Sequence, residues 1–277
     1  MNNTTLKEIA AQLGISITTA SKALKGYSDV SEKTKNAVIE LAQKLHYTPN
    51  SFAVNLRTKE SKTIGLIIPT LVHDFFSYVI KGILEEAEKR DYLVIILQSN
   101  EKLEFEKKQI DLLLNKRVDG ILMSLSNETG DFDHLKSIIS HKTPLVLFDK
   151  IAKLVNCSKV TINDKKAAYD AVCYLIKKED KKIAHFRGSY MPQNSIDRFL
   201  GYKKALEDNN ITYDSSLVFV CENNADFQDG YENAKRVMDE HPEIDAIFAV
   251  TDLVAIGIIK YFNEIGISIP ERIAVLG

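Results

Sequence analysis

Five side chains near the start of the chain, Ile17, Thr18, Ser21, Lys22 and Lys25, recur at spacings of one, three and four, which puts them on one face of a helix. Their types suit the edges of a nucleic-acid duplex. Ile17 can pack on a thymine methyl, Thr18 can donate or accept, and Lys22 can donate to the acceptors of guanine. The hydroxyls of Thr5, Thr19, Ser21 and Ser31 suit phosphates, which position a protein on DNA without reading its sequence, and Ser16 belongs to the same candidate surface. Other chemistry has no nominee. The sequence holds no phosphate-binding glycine loop, no H-E-x-x-H and no G-x-S-x-G, and Cys157, Cys173 and Cys221 stand too far apart for a metal knuckle or redox pair. Histidines 46, 73, 134, 141, 185 and 241 have no metal-ligand spacing. No catalytic residue, metal or cofactor is therefore expected, and the chain reads as a non-enzyme.

The elements that must present this face are three short helices. Leu6, Ile9, Ala10 and Leu13 form one apolar stripe, closed by Gly14 where a left-handed residue is wanted. Ser16 stands at an N-cap position, and the next helix turns Ala20, Ala23 and Leu24 inward. A third helix follows Ser31 and buries Val38, Leu41, Ala42 and Leu45. Two short helices joined by a glycine turn, with small Ala10 and Ala20 at their crossing, make a helix-turn-helix pattern, whose second helix enters the major groove.

Charge supports this division. Residues 1–62 carry nine Lys or Arg against five acids, a balance of +4, so the rest of a chain whose net charge is −2 must carry −6. A basic head on an acidic body suggests a polyanion that meets the head alone. The length of 277 residues allows two domains. The N-terminus lacks a signal-peptide pattern, no apolar run approaches the ~18–20 residues of a membrane span, and the odd, scattered cysteines suit a reducing compartment, so a cytoplasmic location is expected.

Pro49 separates the third helix from a short segment with Asn50 as a plausible cap, then Ala53, Leu56 and Arg57. About two turns of helix is below the ~12–15 residues at which isolated helices become marginally stable. The segment is expected to be largely unfolded when free.

From Thr63 the pattern changes to apolar, β-branched runs alternating with amphipathic helices. Strands are expected at 64–69, 92–99, 120–125, 145–149, 159–162, 183–187, 217–221, 246–251 and 272–276, and the clearest helix, capped by Asp74, repeats apolar residues at Phe76, Val79, Ile80, Ile83, Leu84 and Ala87. This alternation implies open parallel sheets with right-handed crossovers. Nine strands are better served by two sheets than one, with the chain passing between them near Asn163 and a cleft left at the carboxyl ends of the strands.

The stretch TLKEIAAQLGISITTASKALKG from Thr5, with VSEKTKNAVIELAQKLHYTPNSFAVNLR from Val30, resembles the DNA-binding head of the lactose/galactose repressor (LacI/GalR) family. The segments IGLIIPTLVHDFF, VDGILM, PLVLFDK, RFLGYKKAL, IFAVTDLVAIGIIKYFNEIGISIP and IAVLG extend the resemblance over the whole chain. The sequence departs from the family pattern at Lys22, Lys25, Val54 and His73-Asp74, where Arg, Asn, Arg and Asn-Pro are usual. It also stops at Gly277, where the family continues for several dozen residues, so a shortened gene or a fragment is expected.

The resemblance implies a helix-turn-helix head at 1–48, a hinge helix and linker at 49–62, and a core at 63–277. The fold of that core is similar to periplasmic sugar-binding proteins, with subdomains at about 63–162 and 163–277. It implies a dimer on a palindromic operator, with Asn50, Leu56 and Arg57 of the hinge on DNA and Leu56 wedged between base steps in the minor groove. It also implies a small effector, a carbohydrate, held by Phe75, Phe76, Asp149, Arg198 and Asp252, the combination of aromatic faces and directed polar groups that clamps a polyol. The competing reading is a sugar-binding or sugar-processing protein with an incidental basic head.

Overall fold

The computed structural model describes residues 4–47, 60–178, 182–222 and 225–277. The chain divides into two compact units, Met1–Ser61 and Lys62–Gly277.

The first unit holds α1 (Leu6–Gln12), α2 (Ile17–Leu24) and α3 (Glu32–Lys44). Each begins on a hydroxyl residue. Thr5 makes a capping box with Glu8, Ser16 accepts from the Thr19 amide, and Ser31 accepts from the Thr34 amide. Gly14 takes the left-handed conformation that separates α1 from α2, at φ 64°. Ile9, Ala23, Val30, Val38 and Ala42 form the small core. Ala10 and Ala20 are buried as well.

The second unit contains two wholly parallel sheets. The first joins β1 (Thr63–Ile68), β2 (Leu93–Gln98), β3 (Gly120–Met123), β4 (Leu145–Phe148) and β5 (Ser158–Val160) in the order β2-β1-β3-β4-β5. Its helices are α4 (Asp74–Glu88), α5 (Leu103–Lys116) and α6 (Asp133–Ser140). The second joins β6 (Ile183–Arg187), β7 (Val218–Val220), β8 (Ala246–Ala249) and β9 (Ala274–Leu276) in the order β7-β6-β8-β9, with helices α7 (Asp164–Lys177), α8 (Gln193–Asp208), α9 (Phe227–Glu240) and α10 (Asp252–Glu264). After β5 the chain leaves the first sheet, and α7 packs on the second.

Strand residues alternate between two buried layers, as sheets covered on both faces require. Leu66 and Ile68 meet Phe76 of α4, whereas Ile67 meets Ile110 and Leu113 of α5. In the second sheet Ile183 faces α7 and α8, and Ala184 and Phe186 face α9 and α10. The helix pair α9 and α10 interlocks through glycine. A Cβ on Gly230 would lie 2.0 Å from the Val254 carbonyl oxygen, and one on Gly257 would lie 2.1 Å from that of Phe227.

Three details differ from the sequence expectation. His73, not Asp74, caps α4, because its Nδ1 accepts from the Phe75 amide and Asp74 is already helical. Leu84 is exposed, so the α4 stripe covers the sheet less completely than its periodicity suggests. Several strands end one or two residues early at their carboxyl ends, where the chain turns to line a cavity. Asp149, directly after β4, does so in the left-handed conformation at φ 55°.

Candidate functional site

Two places bring together the residues singled out by sequence. On the first unit, α2 shows Ile17, 48% exposed, beside exposed Thr18 and Lys25 and half-buried Ser21. This face is therefore not packed into the interior. The hydroxyls of Thr5, Ser16 and Ser31 are occupied at helix starts, Ser16 with Thr19 at 2.8 Å and Ser31 with Thr34 at 2.8 Å. Lys22 is not free either: its ammonium pairs with Asp29, a partner that sequence inspection overlooked. Asn50, Leu56 and Arg57 lie outside the described residues.

In the second unit, a cavity of about 1070 Å³ opens between the carboxyl ends of the two sheets, and Phe75, Phe76, Asp149, Arg198 and Asp252 all line it. Their environments differ. Phe75 is 47% exposed, whereas Phe76, at 4%, belongs chiefly to the core beneath. Arg198 of α8 donates from Nε to Asp164 at 2.9 Å and from Nη1 to the Val250 carbonyl at 2.6 Å, so its guanidinium is held flat against the second lobe. Asp164 and Asp252 are first helical residues, and the caps before them are Asn163 and Thr251.

Asp149 accepts from Ser124 at 3.3 Å and, across the cleft, from Asn194 of α8 at 3.0 Å. Burial raises its carboxyl pKa, while Lys150 and Arg198 oppose the rise. A second link across the cleft joins Lys153 to Asp197 at 2.9 Å.

The cavity also gathers residues that sequence reasoning did not select. Lys150 Nζ donates to Glu101 and to Asn127, both at 2.6 Å, and the Glu101 carboxylate accepts from the Asn127 amide at 2.7 Å. Ser195 Oγ is buried in the wall with no partner among the described residues. Asn194 and Ser195 follow β6, inside a strand-end segment the parallel-sheet rule marks out. Glu101 and Asn127 also lie just past strand ends, those of β2 and β3, so the same rule applied there would have found them. Among the described residues both wall cations, Lys150 and Arg198, are thus paired with wall carboxylates, while Asp149 and Asp252 face the cavity outside those pairs. Such a lining offers directed donors and acceptors with no uncommitted positive charge. Among the described residues, no cluster of histidine, cysteine or carboxylate could hold a metal, and no helix is long and apolar enough to cross a membrane.

Comparison with known proteins adds independent information. Residues 5–50 match the model for bacterial regulatory proteins of the lacI family, and residues 61–276 match that for periplasmic binding proteins and the sugar-binding domain of the LacI family. The chain is 34% identical to the HTH-type transcriptional regulator RegA of Clostridium acetobutylicum, over 98% of this chain and 81% of that protein. It is 32% identical to the NTD biosynthesis operon regulator NtdR of Bacillus subtilis strain 168, over 99% of this chain and 82% of that protein. Among solved structures, transcription regulator CcpA of Lactococcus lactis aligns with a TM-score of 0.70 at 29% identity, covering 77% of this chain and 76% of that one. The lac repressor dimer bound to operator and the anti-inducer ONPF shares the fold, with a TM-score of 0.86 at 21% identity over 100% of this chain and 82% of that one.

Proposed function

The chain belongs to the LacI family of bacterial regulatory proteins, and from that premise we propose how this DNA-binding transcriptional regulator uses its two sites. Residues 1–48 form the DNA-binding head, 49–62 the hinge and 63–277 the effector core, with subdomains at about 63–162 and 163–277. Ile17, Thr18 and Lys22 read base edges in the major groove. Thr5, Ser16, Thr19, Ser21 and Ser31 sit toward phosphates, and Asn50, Leu56 and Arg57 engage the minor groove. Two heads of a homodimer occupy the halves of a palindromic operator, and the protein acts as a repressor in the cytoplasm, where its DNA is.

The observation that carries the effector assignment is the pairing within the cavity walls. With Lys150 bound to Glu101 and Arg198 bound to Asp164, an anionic ligand would find its cations already neutralised. A polyol instead finds acceptors at Asp149 and Asp252, an unpartnered hydroxyl at Ser195 and an aromatic face at Phe75. Because Asn194 reaches Asp149 across the cleft, a ligand that takes this carboxylate competes with a contact between the lobes, and its differential affinity for the two arrangements sets the response. We assign the protein no catalytic step.

The test is selection of duplexes from a random library by the full chain, followed by gel-shift titration of the selected sequence with and without a panel of neutral sugars. A palindromic consensus and a sugar-dependent change in affinity are expected. Retention of sugar without any selected consensus would favour the competing view of a sugar-binding protein with an incidental head.

A further inference from the structure

Arg187 ends β6 with only 6% of its surface exposed, yet no carboxylate among the described residues pairs with it. Among the described residues its one side-chain hydrogen bond runs from Nε to the adjacent Gly188 carbonyl at 3.2 Å. Its guanidinium lies 4.4 Å from the centre of the Tyr190 ring and 4.6 Å from that of Phe199. Such ring contacts are weak beside the cost of burying a cation, and arginine is almost never so buried unless paired. Neither terminal amino group has an acceptor among the described residues.

A second cation stands by the same aromatic group. Lys203 Nζ lies 4.5 Å from the centre of the Tyr213 ring and 5.8 Å from that of Phe199, and it too has no ion pair among the described residues. The neighbouring carboxylates are committed elsewhere. Asp214 accepts from the Ser216 amide and hydroxyl at 2.8 and 2.7 Å, and Glu207 and Asp208 both pair with Lys204. Arg187, Tyr190, Lys203 and Tyr213 do not line the inter-lobe cavity.

We propose that Arg187 and Lys203 form a second ligand site on the second lobe, separate from the polyol cleft, that takes a small phosphate-type oxyanion. The free edge of a guanidinium presents parallel donors that match two oxygens of such an anion, and Lys203 adds a point charge. Binding there supplies the counter-charge that the fold leaves out.

The experiment uses the full chain in thermal-shift and calorimetric titrations with inorganic phosphate, against sodium chloride at equal ionic strength and against acetate. Phosphate is expected to raise the melting temperature by a few degrees beyond the chloride control and more than acetate does. Arg187→Met should abolish that rise and Lys203→Met should weaken phosphate binding about threefold or more, as loss of one charge-assisted contact requires. Arg198→Met, in the cleft, should leave it intact. Lys203 is exposed, so its variant keeps the test decisive even where Arg187→Met does not fold. Loss of the phosphate effect on Arg198→Met, an unchanged effect in the folded Arg187→Met or Lys203→Met protein, an acetate effect as large as that of phosphate, or no effect beyond chloride would overturn the proposal.

Discussion

The ammonium of Lys22 is clasped by the carboxylate of Asp29, which stands in the turn between α2 and α3. That hydrogen bond, more than any other influence, holds the Asp29 carboxyl below its ordinary pKa. The pair restrains a long flexible side chain and offsets its charge on the face assigned to the groove.

Releasing Lys22 should therefore loosen discrimination. Asp29→Asn is expected to raise affinity for random duplex several-fold and to steepen the dependence of log K on log salt by about one, as an added phosphate contact does. Fluorescence anisotropy across a sodium chloride series measures both. Identical slopes for the two proteins would remove Asp29 from any role in DNA recognition.

Leu56→Ala should weaken binding to the selected operator far more than binding to random DNA, because a wedge helps only where the duplex can be bent. Titrations at one fixed salt concentration decide it, and equal losses on both duplexes would count against the wedge.

Arg198→Lys keeps a positive charge but lacks the fork that spans Asp164 and the Val250 carbonyl. Its expected result is a weakening of sugar binding by about tenfold or more, roughly 1.4 kcal/mol, with a melting temperature close to that of the parent. Calorimetry with the sugar found in the gel-shift panel is the measurement, and unchanged affinity would place the ligand elsewhere.

His185 lies fully buried among Phe199, Tyr202 and Phe248, where burial above all depresses its pKa from 6.5 to about 3. The folded form holds it neutral, whereas the unfolded chain takes up a proton below about pH 6.5. Its contribution is thus complete above that pH and declines as pH falls toward 3, by up to about 1.4 kcal/mol per unit. In His185→Leu this part of the acid sensitivity should vanish, although loss of the hydrogen bond to Phe248 lowers stability at pH 7. Urea midpoints at pH 7 and pH 5 compare the two.

Gly257→Ala should lower the melting temperature by several degrees despite the better helix propensity of alanine. Its methyl would meet the Phe227 carbonyl, and overpacking of this kind costs about 1–3 kcal/mol. A scan of ellipticity against temperature is sufficient, and a melting temperature at or above the parent value would show that α9 and α10 can separate without loss.

Much of the architecture was legible because its signals are local. A hydroxyl before an apolar stripe sets where α1, α2 and α3 begin, and Gly14 separates two of them through its own backbone freedom. Runs such as LVIIL at β2 declare a doubly covered strand by composition alone. The five effector candidates were reached through the family pattern rather than through any spacing, because they come from segments as distant as Phe75 and Asp252.

By itself, then, the sequence determined the helix-turn-helix head, the succession of strands and helices, and the rule that ligand groups gather at strand ends. Each of these depends on neighbours within a few residues along the chain. Only the tertiary structure decided which charges are already spent: Lys22 on Asp29, Lys150 on Glu101, Arg198 on Asp164, and, among the described residues, none on Arg187. Coulomb energy depends on distance and burial, and the order of residues along the chain does not encode either.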